Sequence, residues 1–386
     1  MPLRHPDRPL SDDHATRKAA TVTAVQATEE STHPRKARRR NPYFDNAKFL
    51  AIILVVIGHA LSRRYDLPLS KGLYAFVYAF HMPVFILITG YFAQRFTQAD
   101  GKVRKLISGV IAPYLIFEAL LSATNWLVTD EDFGFTPLEP YWINWFMAAL
   151  IVWRLSTPVW QQLRWPLLFA ILLSLGVGLV DLPIEKTMHR AFGMMPFFVA
   201  GLLLREEHLR WLRQRWVKIA AAAVMVCAVV GAIIVVPHVS MEWVFWRKSY
   251  DGMGQTALLG LVGRAGMMAV AFALVAAFLA LVPTRETWFT RLGPLTMYAY
   301  FGHALIYIVG DGLNWWDAIP GGYLGIAIIL TVSALLGAAL CTTACRFVLR
   351  PFVEPPVEWA FKEPPEKRRE QQEEAAAARA SEPRSG

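Results

Sequence analysis

Apolar runs follow one another from residue 43 to residue 346 of this 386-residue chain, with only short polar breaks between them. They fall near 43–62, 72–93, 106–128, 141–158, 166–181, 189–204, 219–237, 256–282, 292–310 and 322–346. A run of about 20 apolar residues, wound as a helix, matches the hydrocarbon thickness of a bilayer. A soluble chain would scatter its 18% of charged residues evenly; here they gather between the runs. The sequence therefore predicts an all-α integral membrane protein, with about ten transmembrane helices in one bundle.

Charge supplies the direction. The breaks at Arg95–Lys105, Arg154–Arg164, Arg205–Lys218 and Arg285–Arg291 are rich in Lys and Arg, whereas the alternate ones are acidic, aromatic or glycine-rich. The positive-inside rule puts the basic set and both termini in the cytoplasm of a multi-pass protein of the cell membrane. Arg63, Arg64, Arg247 and Lys248 are exceptions that fall outside. The net charge of +9 lies largely where inner loops and tails belong, so it calls for no nucleic-acid partner. Residues 1–40 read as a disordered basic cytoplasmic tail, 41–350 as the membrane domain, and 351–386 as a disordered charged cytoplasmic tail. Cys227, Cys341 and Cys345 all lie in apolar runs and read as packing residues.

Within the first run, Lys48 and His59 stand eleven positions apart. On a helix that spacing returns to the same face, about 20° off, and spans about 16 Å of rise. Asp45 lies on the adjoining part of that face, three residues before Lys48. Ionisable groups in a lipid-spanning segment cost about 2.5–3.5 kcal/mol each, so they face a protein interior and serve a purpose there. Counting rise along each run places His81 and His303 near the bilayer middle, Glu118 close to the midplane, and His59 in the outer half. Arg264 comes out central or outer, and Lys48 and Asp45 stay at the cytoplasmic edge. A central polar cluster reached from both sides satisfies all of these positions.

Five stretches in order carry a resemblance. Asp45-NAKFLAIILVVIG-His59 looks like the opening signature of the membrane-bound acyltransferase-3 family, especially its fucose 4-O-acetylase-like branch. Phe80-HMPVFILITG-Tyr91 is similar to the family's second-helix motif, and Trp142-INWFMAALIVW-Arg154 to its Trp-Phe-Leu stretch. Phe197-FVAG-Leu202 resembles its FxxG element. Leu292-GPLTMYAYFGHALIYI-Val309 resembles its late Ser-x-x-x-Tyr-x-x-x-His segment, with Thr296 where Ser is frequent. The resemblance implies transfer of an acyl group, usually acetyl from acetyl-CoA, to a hydroxyl of a carbohydrate or other envelope or small-molecule acceptor.

O-acylation needs a base for the hydroxyl proton, a bound thioester and stabilisation of the developing oxyanion. His59 is the expected general base, or else a transient acyl carrier. Lys48 either neutralises donor phosphate charge, pairs with Asp45, or snorkels to the headgroups. His81, beside the helix-breaking Pro83, and His303 are expected to help bind substrate. Arg264 is expected to hold a phosphate or oxyanion, or to pair with Glu118. Trp142 and Trp145 read as interface anchors or as sugar-stacking walls. Lys102, Arg104 and Lys105 are expected to meet the phosphates of coenzyme A. A zinc site of His59, His81 and His303 lacks a carboxylate second shell, so no metal is predicted. The competing reading outside enzymology is a transporter or flippase of an envelope precursor, with the charged groups as its polar path.

Overall fold

The computed structural model describes residues 41–362, apart from residues 65, 66, 95, 97–99, 130 and 183. Helices dominate: α1 (Pro42–Leu61), α2 (Pro68–Ala93), α3 (Val103–Val128, with a π-helical turn at Ile107–Ile111), α4 (Trp145–Gln162), α5 (Pro166–Val177), α6 (Glu185–Gly193) and α7 (Met195–Leu203). They are followed by α8 (Arg215–Val235), α9 (Ala257–Leu281), α10 (Thr296–Gly312), α11 (Gly322–Leu340) and α12 (Thr343–Val353). The tails expected at 1–40 and 363–386 lie outside the described residues. At the other boundary the fold continues past residue 350, because α12 runs to Val353 and a further helical turn occupies Glu358–Ala360.

The expectation of ten transmembrane helices is corrected. Among the described residues, seven helices are long and apolar enough to cross a membrane, or eight if the pair Lys186–Leu203 and Glu206–Leu212, bent by 100°, counts as one span. The shortfall lies in the middle of the chain. α5 has 12 residues, about 18 Å of rise, and α4 is long enough but carries Arg154 and ends in Gln161 and Gln162. These pieces still run between the same two ends of the bundle. Gln161 donates to the carbonyl of Gln94 at the close of α2 (2.7 Å), while Trp142, just before α4, packs on His59 at the far end of α1.

Two of the sequence motifs are packing devices. A Cβ on Gly90 would lie 2.1 Å from the carbonyl oxygen of Phe198, and one on Gly201 would lie 2.1 Å from that of Leu87. The glycines of the second-helix motif and of the FxxG element thus let the backbones of α2 and α7 touch, the small-residue contact that holds helices together without a hydrophobic drive. Gly293 plays the same part against the backbone of Asp45. The four cations that broke the charge rule are all engaged. Arg63 pairs with Asp311 and rests on Trp142, Tyr307 and Trp316; Arg64 donates to the carbonyls of Trp316 and Ile319. Arg247 and Lys248 share Glu242.

Candidate functional site

A cavity of about 140 Å³ penetrates the bundle where the C-terminal half of α1 meets the N-terminal half of α2. His59, Tyr78 and His81 line it from those two helices. Trp142, Trp145 and Arg190 come from α4, its lead-in and α6, and the 242–247 segment contributes Phe245 and Arg247. The periodicity of α1 explains His59's place: Val55 lines the same cavity one turn earlier.

His59 is held on several sides. Its Nδ1 lies 2.9 Å from Tyr78 Oη, its ring stacks on His303 at 5.4 Å between centroids, and Trp142 meets it edge-on at 5.0 Å. Among the described residues its Nε2 has no hydrogen-bond partner. His81 donates from Nδ1 to the carbonyl of Val77 (2.8 Å). A carbonyl can only accept, so in the neutral ring the lone pair is on Nε2. His303 is fixed in the same way on Ala299 (2.7 Å), and its buried Nε2 has no partner among the described residues. His303 therefore backs the His59 ring and is not part of the cavity wall. Among the described residues no three His, Cys, Asp or Glu side chains are grouped to hold a metal ion.

Trp142 has φ of 41°, a left-handed conformation that costs a bulky residue of order 1–3 kcal/mol. Its neighbours hold it there. The Glu118 carboxylate accepts from the Tyr141 amide (2.9 and 3.0 Å) and from Asn144 Nδ2 (2.8 Å), and the Arg63 guanidinium lies 4.9 Å from the Trp142 ring. The anchor reading of the two tryptophans is thereby corrected: Trp145 is buried and both line the cavity.

The remaining expected residues sit elsewhere. Arg264 and Glu118 do not pair. Arg264 donates to the carbonyls of Ser174 (3.1 Å) and Lys248 (2.9 Å) and lies over Tyr250, which makes it a cross-brace between α9, α5 and the segment before α9. Lys48 bonds Asp45 at 2.8 Å near the other end of α1, so of the three alternatives for Lys48 the pairing is the one formed. Beside that pair, the buried Asn46 satisfies the carbonyls of Pro283 and Arg285 and accepts from Thr290, closing the α9–α10 loop onto α1. At this end a second, shallower cavity of about 590 Å³ is lined by Arg104, Lys105, Ser108, Arg350 and Glu354. Its place is set by the 2.7 Å bond from Tyr298, early in α10, to Glu354. Lys102 lies in the helical stretch Asp100–Leu106 that leads into α3, but its side chain lies outside the described residues.

Sequence reasoning missed Arg190 and Tyr78. Arg190 carried a usable signal, since it is a charge inside the sixth apolar run, as Arg264 is inside the eighth. Tyr78 carried none, because a tyrosine in a membrane helix is ordinary. On the rim, Glu242 is held below the usual carboxylate range, first by its hydrogen bond from Arg247.

A family model described as an acyltransferase domain matches residues 41–343 of the chain. The nodulation protein NolL of Sinorhizobium fredii (strain NBRC 101917 / NGR234) is 28% identical over 200 residues, an alignment that covers 47% of this chain and 54% of that protein. The chain thus spans about half the length of this curated relative. No solved structure matches.

Proposed function

Since the chain belongs to the acyltransferase-3 family and is a multi-pass membrane acyltransferase, we propose that it moves an acetyl group from acetyl-CoA to a hydroxyl of a carbohydrate or related envelope or small-molecule acceptor. The setting is the cell membrane, with both termini cytoplasmic. The observation that carries this reading is the position of His59, which lines a cavity with its Nε2 free of any partner among the described residues while its other nitrogen meets Tyr78. With the proton on Nδ1 and donated to Tyr78 Oη, Nε2 is the base. It takes the proton of the acceptor hydroxyl as the oxygen attacks the thioester carbonyl. The tetrahedral intermediate then collapses, the C–S bond breaks, and the coenzyme thiolate leaves with the proton returned by His59.

The donor enters from the Lys48 end in this reading. Arg104, Lys105 and Arg350 around the shallow cavity supply positive charge for the coenzyme's phosphates. The pantetheine arm then follows the α1 face for about 16 Å toward His59. The acceptor lies in the His59 cavity against Trp142 and Trp145. His81 supports a second reading: its tautomer is set by a backbone carbonyl, so its Nε2 is also ready to accept a proton. Separate His59→Ala and His81→Ala variants distinguish the two, since loss of the base removes turnover and loss of a binding group raises the acceptor KM.

The experiment for the function as a whole is purified protein in liposomes given labelled acetyl-CoA, alongside mass spectrometry of envelope glycans and small metabolites from cells with and without the chain. The expected result is label transfer and loss of one acetyl increment in the deficient cells. Movement of an envelope precursor across the liposome membrane, with neither acetyl transfer nor donor hydrolysis, would establish the transporter reading instead.

A further inference from the structure

The His59 cavity contains a cation that no carboxylate pairs directly. Arg190 lays its guanidinium 4.8 Å from the Trp145 ring centre and donates from Nε to the carbonyl of Phe245 (3.2 Å). Among the described residues it forms no ion pair, and neither of its terminal nitrogens has a hydrogen-bond acceptor. Its neighbour Arg247 is different, because Glu242 grips that guanidinium with both oxygens (2.8 and 2.5 Å). No Asp, Glu, Asn or Gln side chain lines the cavity.

Two physical consequences follow. A cation in a low-dielectric pocket is costly unless something supplies negative charge, and the carboxylate whose field reaches Arg190, that of Glu242, is already shared by Arg247 and Lys248. The side-chain acceptors in the lining are all neutral, among them Nε2 of His59 and of His81 and the oxygen of Tyr300, whose proton goes to the carbonyl of Ile143 (2.6 Å), while the guanidinium and indole groups only donate. A neutral polyol could meet those neutral acceptors but brings no charge to set against Arg190. A carboxylate or phosphate brings acceptors only and suits the planar fork of arginine.

We propose that the acceptor bound in this cavity carries an anionic group, a carboxylate or a phosphate, which Arg190 holds while a hydroxyl of the same molecule meets His59. The inference rests on the reading of this cavity as the acceptor site, and it narrows the substrate class. The oxyanion of acyl transfer would also attract Arg190, but it exists only during turnover and leaves the cation unpaired in the resting complex. Binding without any donor therefore separates the two roles.

The test uses the purified full-length protein without acetyl-CoA, titrated with glucuronate, glucose 1-phosphate and glucose, and follows tryptophan fluorescence, since Trp142 and Trp145 line the cavity. At least one of the two anions is expected to bind tenfold or more tighter than glucose, and the tighter one identifies the charged group. Arg190→Gln should erase that preference, and Arg190→Lys, which keeps the charge, should retain part of it. Glucose binding as well as both anions, absence of binding by all three, or a preference that survives Arg190→Gln would overturn the proposal. Because no donor is present, this outcome is independent of whether acetyl-CoA is the acyl source, which the liposome assay decides.

Discussion

The two ends of α1 handle polar groups in opposite ways. At the start, Lys48 is matched by Asp45, and Asn46 is saturated by the carbonyls and hydroxyls of the α9–α10 loop. Toward its close, His59 and nearby His81 line one cavity, each with one ring nitrogen fixed on protein and the other without a partner among the described residues, beside an Arg190 that no carboxylate pairs directly. Groups that are fully satisfied hold a structure together. Those satisfied on one side only are kept ready for a ligand, because the protein has left a hydrogen-bonding valence unused in a place where water is scarce. In the proposed function the chemistry falls at the His59 end and the Lys48 end guides the donor.

The strongest challenge to this contrast is His59→Ala. Initial rates of transfer in liposomes should drop by about 10²–10⁴-fold, the usual worth of a general base, with the protein still inserted and folded. Activity at the wild-type level would make the two ends equivalent and remove the catalytic assignment. Tyr78→Phe comes next. Removing one orienting hydrogen bond of about 1 kcal/mol should lower kcat roughly five- to tenfold with little change in either KM; an effect confined to acceptor KM would recast Tyr78 as a binding residue.

Lys48→Ala sharpens the comparison from the other side. A partly exposed ion pair contributes about 1 kcal/mol or less, so insertion and kcat should hold while the donor KM rises a few-fold and the acceptor KM stays put. Unchanged donor KM would leave Lys48 a purely structural partner of Asp45. The smallest effect is expected at the rim. Glu242 has a lowered pKa in the folded protein, so its contribution is present at neutral pH and is lost as pH falls through that lowered value. The melting temperature of the wild type should therefore decline on acidification below the ordinary carboxylate range, and Glu242→Gln, which has no proton to gain there, should flatten that part of the profile.

Much of this was legible in the residues. The Lys48–His59 spacing put both on one helical face, and the apolar runs marked a helical membrane bundle. The motif glycines Gly90, Gly201 and Gly293 carried their own explanation once their backbone contacts were known. Less legible were the three middle runs, where apolarity persists but helix length or composition does not reach that of a membrane-crossing helix. The pairing of Arg264 with Glu118 looked reasonable from depth alone. Yet Glu118 closes on the Tyr141 amide and Asn144, and Arg264 on two carbonyls. Depth is one coordinate, and rotation about each helix axis decides partners.

Properties that repeat along a single segment were therefore settled by the chain's own order of residues: helical periodicity, apolar length, charge alternation and the identity of the imidazole on α1. Which polar groups meet was settled by packing, since Tyr78, Arg190, Trp142 and His303 reach His59 or its cavity from elements up to 244 positions away. Helix–helix rotation and register depend on contacts distributed over the whole bundle, and no local pattern encodes them.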